Sequence, residues 1–213
     1  MRDIPVFCTE MGVASLVLKK IPYTKEAYIH IRDCCDVELF LKECCDFCVA
    51  AGAERVYATG HTYLEKFNYY TTLVKMQSSN CFGDTTADLS LFPLQEKTAE
   101  IWRTIYNKSM LRVPNASYMT VHDMKELLNG GGAYFVHKNG VLVGIGAING
   151  CNIDVVATVV SGMGRNVLGA LCNIIPSDIV TLTVADNNLP AVSLYNKLGF
   201  LVVEELEKWY KII

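Results

Sequence analysis

The stretch VADNNLPAVSLYNKLGF, Val184–Phe200, decides the reading of this chain. Its first residues close the apolar, β-branched run IVTLTVA, which has strand character. Asn188 stands where a helix N-cap belongs, and Pro190 falls in a first turn that tolerates proline. From Pro190 to Leu198 the residues Ala191, Leu194, Tyr195 and Leu198 form a helical stripe. Gly199 closes that short helix, and FLVVEELEKWYKII supplies strand material beyond it.

Upstream lies SGMGRNVL, 161–168, between the apolar runs VVATVV and GALCNII. NIDVVATVV predicts a strand and Arg165 to Ile175 a helix, so two glycines one residue apart sit at a strand-to-helix turn. Such a turn can cradle an anion, because the first helical N–H groups are unpaired and the helix dipole adds partial positive charge. It can equally be a tight turn with no ligand. A nucleotide P-loop is excluded, since no Gly-Lys-Ser/Thr follows. A dinucleotide fingerprint is also poor: its third glycine would fall on Val167. Taken alone, the turn stays open between cradle and connection.

Further upstream, GAYFVHKNGVLVGIGAI predicts a hairpin turning at Asn139-Gly140. TVHDMKELLN predicts a helix capped by Thr120, with Asp123 at the capping-box position and Asn129-Gly130 at its end. LFPLQEKTAEIWRTIYNKSM predicts another helix, with Ile101, Ile105 and Met110 beside Trp102 and Tyr106 on one broad face. From Phe92 the order is close to ααββββαβαβ, a mixed α/β layout. The polar stretch QSSNCFGDTTAD, 77–88, predicts a linker or exposed loop. Before it, VASLVLKKIPYTKEAYIHI predicts two strands joined around Pro22 to Lys25. A helix from Asp36 to Gly52 follows, then strands in ERVYATG and NYYTTLVKM. The expected division is residues 1–88 and 89–213.

The chain has 213 residues, 51% of them hydrophobic, enough for one large domain or two small ones. Its net charge of −3 without a basic stripe points away from nucleic acid as a partner. The mean hydropathy of +0.24 reflects buried strands. The apolar runs are near strand length, so no membrane partner is expected. MRDIPVF lacks the apolar core of an export signal. Nine cysteines then suggest free thiols in a reducing, cytoplasmic compartment. Cys45 and Cys48 have the spacing of a redox or metal pair. Phe40, Cys44 and Cys48, however, recur every fourth residue, as buried thiols on a helix do. No histidine is nearby to complete a zinc set, so no metal site is expected.

The segment 184–200 resembles the acyl-CoA-binding half of the GNAT N-acetyltransferase superfamily. Asn188, Ala191, Leu194, Tyr195, Gly199 and Phe200 match its Asn-x-x-Ala, Leu-Tyr and Gly-Phe spacing. Gly162 and Gly164 match the upstream Gln/Arg-x-x-Gly-x-Gly/Ala turn. The resemblance covers about residues 90–213. Residues 1–88 resemble a partial second copy without the glycine turn, as in tandem, partly degenerate members of unassigned substrate. One departure is Val159, which stands at the Gln/Arg position. Val160 and Ser161 replace a basic, glycine-containing stretch.

The resemblance implies an α/β fold of the GNAT type and transfer of an acyl group, in the first place from acetyl-CoA as co-substrate, to an amine. The acceptor is a small molecule or a peptide amine, and neither it nor the oligomeric state can be read from the residues. The pyrophosphate would lie on the N–H groups of Gly162, Met163, Gly164, Arg165 and Asn166. The pantetheine would pair with Val156, Ala157 and Thr158. Asn188 would cap its helix and hydrogen-bond near the pantetheine. Tyr195 would protonate the departing thiolate, or else be a core residue of its stripe. Asp154 is the nearest match to the acidic residue many relatives use as base, although strand alternation would place it outward. The competing function is a catalytically silent CoA-binding or protein-interaction module, motivated by Val159 and the degenerate first part.

Overall fold

The computed structural model describes residues 5–79 and 88–213. In chain order its elements are β1 (Val6–Thr9), β2 (Gly12–Val17), α1 (Ile21–Thr24), β3 (Glu26–Cys34), α2 (Val37–Ala50), β4 (Arg55–Thr59) and β5 (Asn68–Ser78). They continue with β6 (Leu89–Pro93), α3 (Ala99–Met110), α4 (Val121–Gly130), β7 (Ala133–Lys138), β8 (Val141–Asn149) and β9 (Asn152–Thr158). The last are α5 (Gly164–Cys172), β10 (Val180–Ala185), α6 (Leu189–Lys197) and β11 (Leu201–Lys211). The fold is mixed α/β, and the chain forms two units: Met1–Leu73 with Glu205–Ile213, and Val74–Glu204. Of the polar stretch 77–88, Gln77 and Ser78 extend β5, while 80–87 lie outside the described residues, as do residues 1–4 of the N-terminal stretch.

In the first unit the strands run β1-β2-β3-β4-β11. β1, β2 and β3 are antiparallel, β3 and β4 parallel, and β11 returns antiparallel through Tyr210↔Ala58. The helix α2 starts where the sequence indicates, because the Asp36 carboxylate accepts the N–H groups of Glu38 and Leu39. Phe40, Leu41, Cys44, Cys45 and Cys48 form its buried face, packed with Leu16, Ile29 and Val56. Burial pushes the thiols of Cys44, Cys45 and Cys48 up to about 12, 11 and 12. These cysteines therefore act as small apolar side chains.

In the second unit the strands run β10-β9-β8-β7-β6, antiparallel except for the parallel pair β9–β10. The β7–β8 hairpin turns at Asn139 and Gly140, with φ of +50° and +78°, the left-handed pair that a two-residue turn demands. Helix α4 carries the expected capping box between Thr120 and Asp123. One core lies under α3 and α4, around Trp102, Phe135 and Ile145. The other lies under α5 and α6, around Leu168, Leu171 and Phe200.

Two expectations for the start of this unit need correction. LFP is not the beginning of a helix. Leu89–Pro93 is a strand paired with β7 from Leu89↔Lys138 to Pro93↔Tyr134, and the helix begins only at Ala99. Pairing with a neighbouring strand overrode the local pattern. The buried face of α3 is Ala99, Trp102 and Tyr106, whereas Ile101 is 55% exposed. The indole of Trp102 donates to the Tyr134 carbonyl at 3.1 Å, and that anchor sets the rotation of the helix. Three strands, not four, then separate α4 from α5.

Helix α5 sits close upon β8 and β9. A Cβ on Gly144 would stand 2.5 Å from the Ala157 carbonyl oxygen and 2.5 Å from Val167 Cγ2. A Cβ on Gly146 would collide with the Leu171 side chain. Backbone cannot yield as a side-chain tip can. Gly144→Ala is therefore expected to destabilise the protein by about 1–3 kcal/mol, the usual range for overpacking. Urea unfolding measures it, and a midpoint unchanged from wild type would refute the close seating of α5. No helix among the described residues is long and apolar enough to cross a membrane.

Candidate functional site

β9 forks away from β10. On one side β9 pairs with β8 from Asn149↔Asn152 and Ile148↔Ile153 to Ala147↔Val155 and on to Gly144↔Thr158. Asp154 has no partner across this ladder. It is the extra residue of a β-bulge, which bends a strand and raises its twist. On the other side, β9 pairs with β10 only at Thr181↔Asn152 and Leu182↔Ile153. Both strands run on, to Thr158 and to Ala185. From Asp154 to Thr158 the edge of β9 facing β10 carries no ladder. Unpaired peptide groups inside a sheet are costly unless water or a ligand satisfies them. Val156 packs on the α5 side of β9 and Ala157, which is buried, on the α3 side. Thr158 is half-buried.

The strand then enters the glycine turn. The amides of Val159 and Val160 both donate to the Val143 carbonyl, at 2.9 and 3.4 Å, which ties the turn to β8. Gly162 has φ of +81°, and a Cβ there would meet nothing within 4 Å. Glycine is therefore needed there for its backbone angle, in a place open above the chain. Gly164 differs: it has no left-handed backbone angle, and its Cβ would stand 2.8 Å from Leu194 Cδ2 of α6, a side-chain tip that can turn aside. The first backbone bond of α5 runs from the Val167 amide to the Met163 carbonyl at 2.9 Å. The amides of Gly164, Arg165 and Asn166 precede it and are the unpaired donors of the first turn. No side chain caps them and no acidic residue stands in that turn. Arg165 is exposed, and Met163 and Asn166 are half-buried.

The first unit provides an internal contrast in its own β3–α2–β4 crossover. There the parallel pairing covers Glu26↔Arg55 to His30↔Thr59, every residue of β4, and leaves no fork. The start of α2 is filled by the Asp36 carboxylate, 3.1 Å from each of two amides, with Glu38 beside it. One helix start is closed to anions by its own acid; the other is open.

Helix α6 brings the remaining residues. Tyr195 packs against the α5-side core, its ring 6.0 Å from that of Phe200. Burial pushes its phenol up to about 12, so the hydroxyl stays protonated throughout the physiological range. That hydroxyl has no hydrogen-bond partner among the described residues. Tyr195 is thus both a packed residue and an unspent donor. Asn188 departs from expectation: it occupies the N-cap, but its side chain makes no capping bond. Its φ and ψ of −81° and 65° differ from the extended backbone from which Asp36 caps α2. The half-buried amide keeps its donors and acceptor.

Asp154 is exposed and accepts a hydrogen bond from Asn152 Nδ2. Asn152 Oδ1 in turn accepts from Thr181 Oγ1 at 2.9 Å. Neither Asn152 nor Thr181 stands out in the sequence, because nothing local marks two residues that meet across a fork.

No protein-family model matches the sequence, and no curated protein matches it. Solved structures do. A GCN5-related N-acetyltransferase from Kribbella flavida matches with a TM-score of 0.57 at 16% identity, over 99% of this chain and 89% of its own. One from Sphaerobacter thermophilus matches with a TM-score of 0.56 at 10% identity, over 94% of this chain and 76% of its own. A tandem GNAT protein from the clavulanic acid biosynthesis pathway matches with a TM-score of 0.51 at 13% identity, over 94% of this chain and 78% of its own. The chain has the fold of the GNAT acetyltransferases, as the motif in 184–200 implies.

Proposed function

We propose that this protein is an acyl-CoA-dependent N-acyltransferase, with acetyl-CoA as its donor and an amine of a small molecule or peptide as acceptor. The observation that carries this reading is the fork between β9 and β10, which opens beside a helix start that has neither cap nor acid. The acetyltransferase domain read from the sequence as residues 89–213 has its candidate site in the unit Val74–Glu204, and residues 1–88 are a partial copy whose own crossover is closed and whose unit takes in Glu205–Ile213. The cytoplasm, with its reduced thiols, is the compartment that suits the cysteines.

The residues present fit acetyl-CoA. The amides of Gly162, Gly164, Arg165 and Asn166 would face an anion where the helix dipole favours one, whereas the Met163 amide, also expected there, donates to the Val160 carbonyl at 3.3 Å. Arg165, which is exposed, supplies a positive charge in place of the basic residue missing at Val159. Val156, Ala157 and Thr158 offer strand edge to a pantetheine arm, and the Asn188 amide lies free to hydrogen-bond it. In the transfer, the amine nitrogen bonds to the thioester carbonyl carbon and the carbon–sulfur bond breaks. Tyr195 hydrogen-bonds the sulfur as charge builds there, passing on a proton while regaining one from water. Asp154, directly or through water, takes the proton that the amine loses.

The first test needs no acceptor. Acetyl-CoA at a hundredfold its Kd should stabilise the protein by about 2.7 kcal/mol, read as a thermal shift. Titration calorimetry should find one acetyl-CoA per chain. No shift at millimolar acetyl-CoA would refute the reading, and two bound molecules would refute the closed crossover. Binding without CoA release across a broad amine panel would favour a silent CoA-binding module instead.

A further inference from the structure

We propose that Asn152 and Thr181 are positioning residues for the reaction, acting as a side-chain relay that sets the Asp154 carboxylate at the vertex of the fork. The inference rests on the acyltransferase reading in which Asp154 receives the amine proton. It adds two residues to which the family motif assigns no role.

Backbone geometry leaves Asp154 unusually unsupported. It is the bulged residue with respect to β8, and it is the first residue past the end of the β9–β10 ladder. It therefore has no Cα partner in either ladder. It is exposed, and among the described residues its carboxylate has a single hydrogen-bond partner, Asn152. A carboxylate so placed would sample many rotamers, whereas proton transfer needs one orientation within hydrogen-bond reach.

The polarity of the relay follows from chemistry. An ionised carboxylate can only accept, so Asn152 must turn its NH2 toward Asp154. That turns Asn152 Oδ1 toward Thr181, whose hydroxyl must then donate, as its 2.9 Å contact allows. Thr181 is buried, with 7% of its surface exposed, and is paired across the fork with Asn152 itself. The orientation of the exposed acid is thus anchored in the buried start of β10. The relay also sits where the reacting end of a bound arm belongs. From Thr158 back to Asp154, β9 spans about 13 Å at about 3.3 Å per residue, so an extended arm held at the glycine turn would bring its far end to the vertex.

Two measurements test the relay. The first follows the side-chain NH2 signals of Asn152 by NMR. Thr181→Val should speed their exchange with water about tenfold, while Thr181→Ser, which keeps the hydroxyl, should not. Unchanged signals in Thr181→Val would overturn the relay. The second is kinetic, with acetyl-CoA and the best amine of a panel. Asn152→Ala should lower kcat about tenfold and leave the acetyl-CoA KM unchanged. In an Asp154→Ala background the same substitution should have no further effect, since it acts through Asp154. If the two losses multiply, Asn152 is merely structural and the inference falls. If Asp154→Ala leaves kcat unchanged, the role of Asp154 falls first and takes the kinetic part with it.

Discussion

Tyr195→Phe should lower kcat about a hundredfold and leave acetyl-CoA affinity unchanged. Removing one preorganised donor aimed at developing charge costs about 10²–10³ in rate, and Tyr195 is the unspent donor on α6. The substitution is well suited to the question. The ring would keep its packing against Phe200, 6.0 Å away, and the lost hydroxyl leaves no partner behind. Thermal stability should stay level or rise slightly, because a polar group without a partner is removed from a partly apolar site. The wild-type pH profile should also show no basic limb from Tyr195 below about pH 10, since burial pushes the phenol up to about 12. Unchanged turnover in Tyr195→Phe would leave the residue as packing alone. A large loss of acetyl-CoA affinity would mean that it binds the donor instead.

Met163→Asp should weaken acetyl-CoA binding by a hundredfold or more without unfolding the protein. Met163 is the N-cap of α5, the position Asp36 holds in α2. There the carboxylate takes the amides of Glu38 and Leu39. Met163 has φ and ψ of −85° and 3°, outside the extended range from which Asp36 caps α2, so the new carboxylate would act as a charge beside the unpaired amides of Arg165 and Asn166 and not as a cap. Two unit charges about 5 Å apart near a protein surface interact by about 3 kcal/mol, so repulsion of an anion held on those amides exceeds the ~2.7 kcal/mol of a hundredfold change. Stability should hardly move, because an acid at a helix start gains about 0.3–1 kcal/mol from the dipole while some packing of the half-buried methionine is lost. Calorimetry with acetyl-CoA reads the affinity and a melting curve reads the fold. Unaltered affinity would place the pyrophosphate elsewhere.

Much of the candidate site was legible because it is built from local rules. Asn188 to Phe200 predicted strand, helix start and helix end from spacing, and Gly162 predicted a turn. What local rules missed was what each residue touches. Gly162 and Gly164 look alike in sequence, yet one answers to a backbone angle and the other only lies close to the tip of Leu194. Asn188 looks like a cap and occupies the cap position, but its backbone departs from the extended angles that a capping side chain needs. Ile101 matches a helical face in periodicity, and the Trp102 anchor turns it outward.

By itself the sequence determined the alternation of strands and helices, the hairpin at Asn139-Gly140, the buried cysteine stripe of α2 and the motif that names the fold. Each depends on residues a few places apart, where periodicity, turn chemistry and capping act. Only the tertiary structure decided that β9 parts from β10 after Ile153 and that Asp154 is a bulge. The same holds for the meeting of Thr181 with Asn152, and for the grouping of 205–213 with the first unit rather than with the residues just before them. Pairing register is a property of two strands at once, and the residues that meet across a fork leave no mark in either strand alone.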